Sequence, residues 1–468
     1  MATPLSISFQ GAARTVTGSR HKIRFGDRTW LFDCGLYQGH RDEADAINRT
    51  FAFDPAELDA VIISHAHLDH IGNVPTLVAA GFDGPIHGTE ATFDLARPML
   101  ADSAFLQERD LERVNRRHPD KPRKPLYTSA DVERTIPMFV SHRYYQNWSP
   151  FAGVEVSYYD AGHILGSALT TFEFSHNGRT HRLGMSGDLG RPARPILRDP
   201  DVHPGVETLV MESTYGDRLH APGEETLHSL VEVVKRTVAR GGRVLVPAFA
   251  VGRAQELVAT LHDLFQRGVV SELPVFVDSP LAREATGVFT RHPELFDEAT
   301  KRLFHAGSGA PFGFDRLRYI RTPEESRALN DFEEPCVIVS ASGMCEGGRI
   351  LHHLRHGLPD SRNTVLFVGF QAEGTLGRKL HDGATVVNVF GEPVDVRAEI
   401  VALDGFSAHA DQQELVDWVG RLDPLPKRIF LVHGELAPAE TLAGVLSTRY
   451  PGVKVDVPEK GEEFDLWT

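Results

Sequence analysis

Four side chains of metal-ligand type crowd into the hexamer His65-Ala66-His67-Leu68-Asp69-His70. Imidazole and carboxylate are the donors that borderline divalent cations such as zinc prefer. One ion cannot comfortably take all four groups from so short a segment. His65 and His67, on alternate positions, are therefore expected to face one ion, and Asp69 with His70 a second. The run Val61-Ile62-Ile63 directly before the hexamer reads as a buried strand, and residues 71–80 read as a loop entering a helix. That puts the hexamer at the C-terminal end of a strand, where open α/β sheets bind ligands. A solvated His-rich loop is the competing explanation, and the density of ligand-type residues weighs against it.

Other apolar segments end in residues of the same type. Trp30 to Gly35 carries Asp33, and Val154 to Tyr159 leads into Asp160-Ala161-Gly162-His163. His181 to Asp188 closes on Ser186-Gly187-Asp188, Thr208 to Glu212 closes on Glu212, and Arg428 to Gly434 carries His433. A lone His163 or His433 would read as a structural histidine; beside the hexamer each reads as a ligand. Two ions about 3.5–4 Å apart need a shared ligand, best a carboxylate with its two oxygens, and Asp188 is the candidate bridge.

These ends must be brought to one edge by a sheet. Ser6 to Phe9 and His21 to Phe25 alternate and read as strands, while residues 91–118 read as a helix broken at Pro122 to Pro125. The texture then changes. Glu224 to Arg240 and Gly252 to Arg267 read as helices between the strands Arg243 to Pro247 and Pro274 to Asp278. Val337 to Ser340 and Thr364 to Val368 continue the alternation, which is that of a parallel sheet with crossover helices. From about residue 395 the first texture returns, with Ile400 to Leu403, Phe406 to His409 and the strand before His433. The simplest organisation is an α/β module inserted into another, with boundaries at 1–214, 215–395 and 396–468.

Bulk properties narrow the class. A chain of 468 residues exceeds one ordinary core, and its 41% hydrophobic and 24% charged residues are those of a folded protein in water. No apolar run approaches a membrane span, and Met1 to Phe9 lacks the pattern of a targeting segment. Three cysteines, Cys34, Cys336 and Cys345, make no disulfide framework and suggest a reducing compartment, hence the cytoplasm. A net charge of −15 argues against non-specific coating of nucleic acid, although bound metal and a local basic groove would relieve it. Candidate basic stretches are Arg109 to Arg123 (with Arg113, Arg116, Arg117, Lys121 and the adjoining Lys124) and Lys301 to Arg321; each reads more readily as a solvated face.

In sum the ligand pattern resembles the metallo-β-lactamase superfamily, whose His-x-His-x-Asp-His signature is unbroken here and is followed in order by His163, Asp188 and His433. The inserted module narrows the resemblance to the β-CASP nucleases. Met211-Glu212-Ser213-Thr214-Tyr215-Gly216 is similar to the acidic motif that opens their inserted domain, and Phe406-Ser407-Ala408-His409-Ala410-Asp411 to their second motif. Leu431-Val432-His433-Gly434-Glu435 is similar to the third, while Pro247 to Glu256 and Ser340 to Met344 also look like stretches of that family. The chain looks closest to the compact bacterial and archaeal relatives of the mRNA 3′-end processing endonuclease subunit. The expected lack of a long C-terminal domain sets it apart from RNase J.

The resemblance implies an αββα metallo-β-lactamase sandwich with an inserted α/β β-CASP domain on a parallel sheet. It implies two zinc ions: His65, His67 and His163 on the first, Asp69, His70 and His433 on the second, and Asp188 between them. It puts Asp33 behind the ligand imidazoles, and Glu212 and His409 as a pair beside the metals, with His409 the general acid. Arg253, Ser340, Ser342 and Gly343 are candidate phosphate contacts through a guanidinium and backbone N–H groups, or a tight loop without a ligand. The implied activity is hydrolysis of single-stranded RNA, endonucleolytic in preference to 5′-exonucleolytic, with His433 favouring RNA over DNA. Dimerisation through Phe430 to Thr468 is a further expectation. The alternative on the same core is a small-molecule hydrolase of thioesterase or lactonase type.

Overall fold

The computed structural model describes residues 3–39, 41–117, 119–305, 312–369, 371 and 374–467. His118, residues 306–311 and Thr468, within the expected helix 91–118, the second basic stretch and the expected dimerisation region, lie outside the described residues. The chain divides into two units: Met1–Ala193 with Asp199–Leu219 and His409–Thr468, and Arg194–Arg198 with His220–Ala408.

The first unit is built on two seven-stranded sheets. In one, the strands run in the order Glu463–Asp465, Leu5–Gly11, Arg20–Phe25, Arg28–Phe32, Ala60–Ile62, Ile86–Thr89, Phe139–His142. The last four are parallel, so their C-terminal ends share one edge. In the other the order is Lys454–Asp456, Arg428–Val432, Thr208–Glu212, Arg179–Met185, Ala168–His176, Val154–Asp160, Asn147–Phe151. Arg179–Met185, Thr208–Glu212 and Arg428–Val432 are parallel. Val154–Asp160 points the same way, because two antiparallel pairings separate it from Arg179–Met185.

The sequence alternation sets the layers. Leu5, Ile7, Phe9, Trp30 and Phe32 from the first sheet pack with Phe172, Phe174, Met185, Val210 and Phe430 from the second in one apolar core. Each large side chain buried this way contributes about 1.5–3 kcal/mol. The intervening residues Leu209, Met211, Ile429 and Leu431 face outward onto Leu415, Val416 and Val419 of the helix Gln412–Gly420 and onto Leu442 and Leu446 of the helix Leu436–Arg449. Thr208–Glu212, covered on both faces, is buried along its whole length around the apolar run Leu209 to Met211, whereas Val154–Asp160 alternates buried with exposed or partly exposed residues. Outside the first sheet, the helix Glu90–Arg117 meets the strand Phe139–His142 through the stacked rings of Phe93 and Phe139, 4.2 Å apart. The result is the expected αββα sandwich.

The second unit carries a six-stranded, all-parallel sheet in the order Leu317–Tyr319, Val275–Val277, Val337–Ser340, Val244–Pro247, Thr364–Phe367, Glu399–Ala402. Val244 and Val246 pack with Leu230, Val234, Leu257 and Leu261 on one face; Leu245 packs with Ile350 and Leu354 on the other. This is the inserted α/β module on a parallel sheet that the strand–helix alternation predicts.

Two local readings differ from the structure. The strand Glu399–Ala402, grouped by its texture with the returning first module, pairs in parallel with Thr364–Phe367 at the edge of the second unit's sheet. A strand of so few apolar residues carries no mark of which sheet it joins. The expected loop after the hexamer is shorter than its Gly and Asn suggest: Leu68–Ile71 is already a helical turn, and Val74–Ala79 follows with Pro75 in its first turn. Among the described residues no helix is long and apolar enough to cross a membrane.

Candidate metal centre

The parallel strands bring the ligand-type residues together. Asp33 follows Arg28–Phe32 and His65 follows Ala60–Ile62, while His163, Asp188, Glu212 and His433 lie at or just beyond the ends of the second sheet's co-directed strands. Asp33 and His433 turn the chain sharply there, with φ of 60° and 48°, a left-handed conformation uncommon outside glycine and concentrated at functional sites. The hexamer backbone is itself held. Cys34 N donates to His70 O, Leu36 N to Leu68 O and Ser19 N to Asp69 O, each at 2.8 Å. Gly35 makes this approach feasible, since a Cβ there would lie 1.6 Å from the Asp69 carbonyl oxygen.

Two donor sets result. His67 Nδ1 lies 3.1 Å from His65 Nε2 and 3.2 Å from His163 Nε2. His433 Nε2 lies 3.1 Å from His70 Nε2 and 3.4 Å from Asp69 Oδ2. Asp188 stands between them. Its Oδ2 is 3.4 Å from His65 Nε2 and 3.5 Å from His163 Nε2, and its Oδ1 is 3.2 Å from His70 Nε2. Donors arranged tetrahedrally at zinc–nitrogen distances are about 3.3 Å apart, so these spacings fit a cation at the centre of each set. Hydrogen bonding accounts for them poorly. His67 Nδ1 faces two imidazole nitrogens at once, and Asp188 Oδ1 is buried with no hydrogen-bond partner. Buried polar atoms are rarely left so.

Electrostatics favours the ligand state at His65, His67 and His163. Burial pushes His65 down to about 3 and His67 down to about 4, and holds His163 well below the ordinary imidazole value. Neutral imidazole is the form that binds metal. Burial opposes charge on His70 too, but Asp188 and Asp33 outweigh it and hold that ring well above its ordinary value. Asp188 moves the other way. Burial would raise it, yet His433, His70 and His65 pull it well below the usual carboxylate range. A buried carboxylate that needs this much positive charge beside it suits a cation.

A second layer orients the rings. Asp33 Oδ2 lies 2.7 Å from His70 Nδ1 and accepts from Ser19 Oγ and Ser64 Oγ at 3.0 Å, while Asp33 Oδ1 accepts from Ser64 N at 2.8 Å. Ser64 Oγ also lies 3.0 Å from His65 Nδ1, and Thr214 Oγ1 lies 3.1 Å from His433 Nδ1. Such partners fix tautomer and ring angle and leave the other nitrogen for the metal. The sequence reading missed Ser19, Ser64 and Thr214; only their adjacency to ligands or motifs could have signalled them.

Glu212 and His409 form the expected pair. Both Glu212 oxygens lie 3.0 Å from His409 Nδ1, and Leu189 N donates to Oε1 at 2.6 Å. His409 Nδ1 is 3.9 Å from Asp188 Oδ2. Burial lowers its proton affinity, but Glu212 and Asp188 overcome that and raise it to about 9.

The four candidate phosphate contacts lie in the second unit. The Arg253 guanidinium is held by Glu256, and Ser340 Oγ donates to Asp278 O at 2.8 Å. Ser342 Oγ accepts from Glu346 N at 3.1 Å, and Gly343 O accepts from Gln371 Nε2 at 3.0 Å.

Three family profiles match the chain: the metallo-beta-lactamase superfamily over residues 23–143, the Beta-Casp domain over 254–380, and the Zn-dependent metallo-hydrolase RNA specificity domain over 393–458. A ribonuclease of Thermus thermophilus is 37% identical over 452 residues, 97% of this chain and 98% of that protein. The transcription termination factor FttA of Methanocaldococcus jannaschii is 35% identical over 441 residues, 92% of this chain and 67% of that protein. Among solved structures, a protein of unknown function from Enterococcus faecalis aligns with a TM-score of 0.55 at 13% identity, covering 99% of this chain and 100% of that one; this likeness concerns the fold alone.

Proposed function

Because the chain belongs to the β-CASP family of the metallo-β-lactamase superfamily, we propose that it is a zinc-dependent ribonuclease. It hydrolyses phosphodiester bonds of single-stranded RNA, leaves 5′-phosphate and 3′-hydroxyl ends, and cuts internally in preference to trimming from the 5′ end. The observation that carries this reading is the pair of donor sets facing the two oxygens of Asp188, with the His409–Glu212 pair beside them. The ribonuclease relative and the matched RNA specificity domain support the substrate class.

In this reading His65, His67 and His163 would hold one zinc, Asp69, His70 and His433 would hold the other, and Asp188 would serve both. Bound zinc supplies an acidified water near neutral pH and electrostatic stabilisation of phosphoryl charge. Asp33 holds Nδ1 of His70 and so keeps Nε2 of that ring turned toward Asp188, where it would meet the metal. Glu212 takes Nδ1 of His409, which orients the ring, favours its protonated form and directs the opposite nitrogen to the leaving 3′-oxygen. Proton donation of this kind is worth about 10²–10⁴-fold in rate. The three cysteines are buried free thiols, which supports a reducing, cytoplasmic setting.

The test is cleavage of a 5′-monophosphorylated, 3′-labelled single-stranded RNA by zinc-loaded protein, with His409→Ala alongside. Internal cuts are expected from the wild type. The variant should keep its zinc and cleave about 10²–10⁴-fold more slowly. Loss of zinc would make His409 a ligand instead, a role its grouping with Asp188 and His433 allows sterically. A zinc-loaded wild type that leaves RNA intact would overturn the ribonuclease reading in favour of a small-molecule hydrolase.

A further inference from the structure

The strand Phe139–His142 ends on the same edge as Asp33 and the hexamer, and the chain then crosses to Asn147–Phe151 of the other sheet through residues 143–146. Adjacent strands lie about 4.8 Å apart, so this crossing sits roughly 10 Å along the edge from the strand that delivers His65. It is tied to the His163 loop. Tyr144 Oη donates to Ser167 O at 2.7 Å, and Ser167 Oγ accepts from His163 N at 3.1 Å.

Tyr145 occupies the crossing with φ at 61° and remains 54% exposed. A left-handed backbone is an outlier for so bulky a residue and persists only where the surroundings enforce it. They do so here. Tyr145 N donates to Tyr158 O at 2.9 Å, its hydroxyl donates to Asp201 Oδ2 at 2.8 Å, and its ring stands edge-on to Tyr159 with centroids 5.9 Å apart. The outcome is a pinned aromatic plane presented to solvent beside the metal edge. Exposed Arg143 precedes it by two residues. An exposed, fixed aromatic plane is the surface on which a base of a single strand stacks.

We propose that Tyr145 is a base-stacking platform that positions a nucleotide of single-stranded RNA flanking the scissile phosphate. The inference rests on the ribonuclease reading above and deepens it. Because every base offers a π face, the platform gives grip without sequence preference.

The experiment uses one RNA sequence carrying a single abasic nucleotide at successive positions around the cut, with zinc-loaded wild type, Tyr145→Ala and Tyr145→Trp, and reads KM. In the wild type one abasic position is expected to raise KM about tenfold, within the range for loss of one base stack. Tyr145→Ala should raise KM for intact RNA by about the same factor, and the abasic site should then add nothing, as expected for groups that act through one contact. Tyr145→Trp should retain the wild-type KM. An unchanged KM in Tyr145→Ala, losses that multiply, equal losses at every abasic position, or no rescue by Trp would each overturn the platform. If the wild type hydrolyses bis(p-nitrophenyl) phosphate but leaves RNA intact, the ribonuclease reading itself falls and the platform with it.

Discussion

Asp33→Asn changes no heavy-atom count and removes one charge from beneath the site. Asp33 Oδ2 lies 2.7 Å from His70 Nδ1 and 3.0 Å from both the Ser19 and Ser64 hydroxyls, and its other oxygen takes Ser64 N at 2.8 Å. An asparagine retains one accepting oxygen. Whichever way its amide turns, an NH2 group faces donors that the carboxylate satisfied. The lost charge-assisted bond to a fully buried ring is worth about 1.5–3 kcal/mol, which is about 10- to 150-fold in binding. That agrees with the roughly 10- to 100-fold cost of removing a partner behind a metal ligand. Competition against a calibrated chelator should therefore find zinc bound at least tenfold more weakly in Asp33→Asn than in the wild type. The weaker class should be the one held by His70. Wild-type zinc affinity in a folded Asp33→Asn protein would refute the claim that this carboxylate sets the His70 ring.

Gly35→Ala places a Cβ 1.6 Å from the Asp69 carbonyl oxygen; the hexamer backbone must shift, and zinc affinity should fall together with the melting temperature of the metal-free protein. In the second unit, Asp278 is fully buried and accepts from Ser326 Oγ at 2.5 Å and Arg349 Nη1 at 2.7 Å, with His353 Nε2 at 2.6 Å. Burial works against its charge, but the bonds to His353, Ser326 and Arg349 prevail and hold it below the usual carboxylate range. Asp278→Asn should therefore cost about 3–5 kcal/mol near pH 7. A depressed folded value means that this stability is present above the unfolded carboxylate value of about 3.9 and is lost as pH falls through the folded one. Urea melts from pH 7 to pH 4 should keep the full gap between wild type and variant, and the gap should narrow only below that.

Much of the site was legible because its chemistry is local. His65, His67, Asp69 and His70 need only their spacing and the apolar run before them to declare a strand-end metal site. His163, Asp188 and His433 needed the further fact that several strands ended alike, and the structure brings these ends to one edge because the strands are co-directed. The layer behind the ligands was not legible. Ser64 and Thr214 are ordinary residues whose roles depend on rotamers and on neighbours distant in sequence, His433 being 219 positions from Thr214. Tyr145 gave no signal either, since what marks it is a backbone angle. The pairing of Glu399–Ala402 was hidden because sheet membership is decided by partners rather than by composition.

Titration of zinc into metal-free protein, with bound metal and RNA cleavage followed together in wild type and Asp188→Asn, tests the central claim most directly. Two donor sets sharing one carboxylate require cleavage to rise only as the second equivalent of zinc binds. They also require Asp188→Asn to stay near background at every loading. Full activity with one zinc per chain, or wild-type cleavage by Asp188→Asn, would contradict the account.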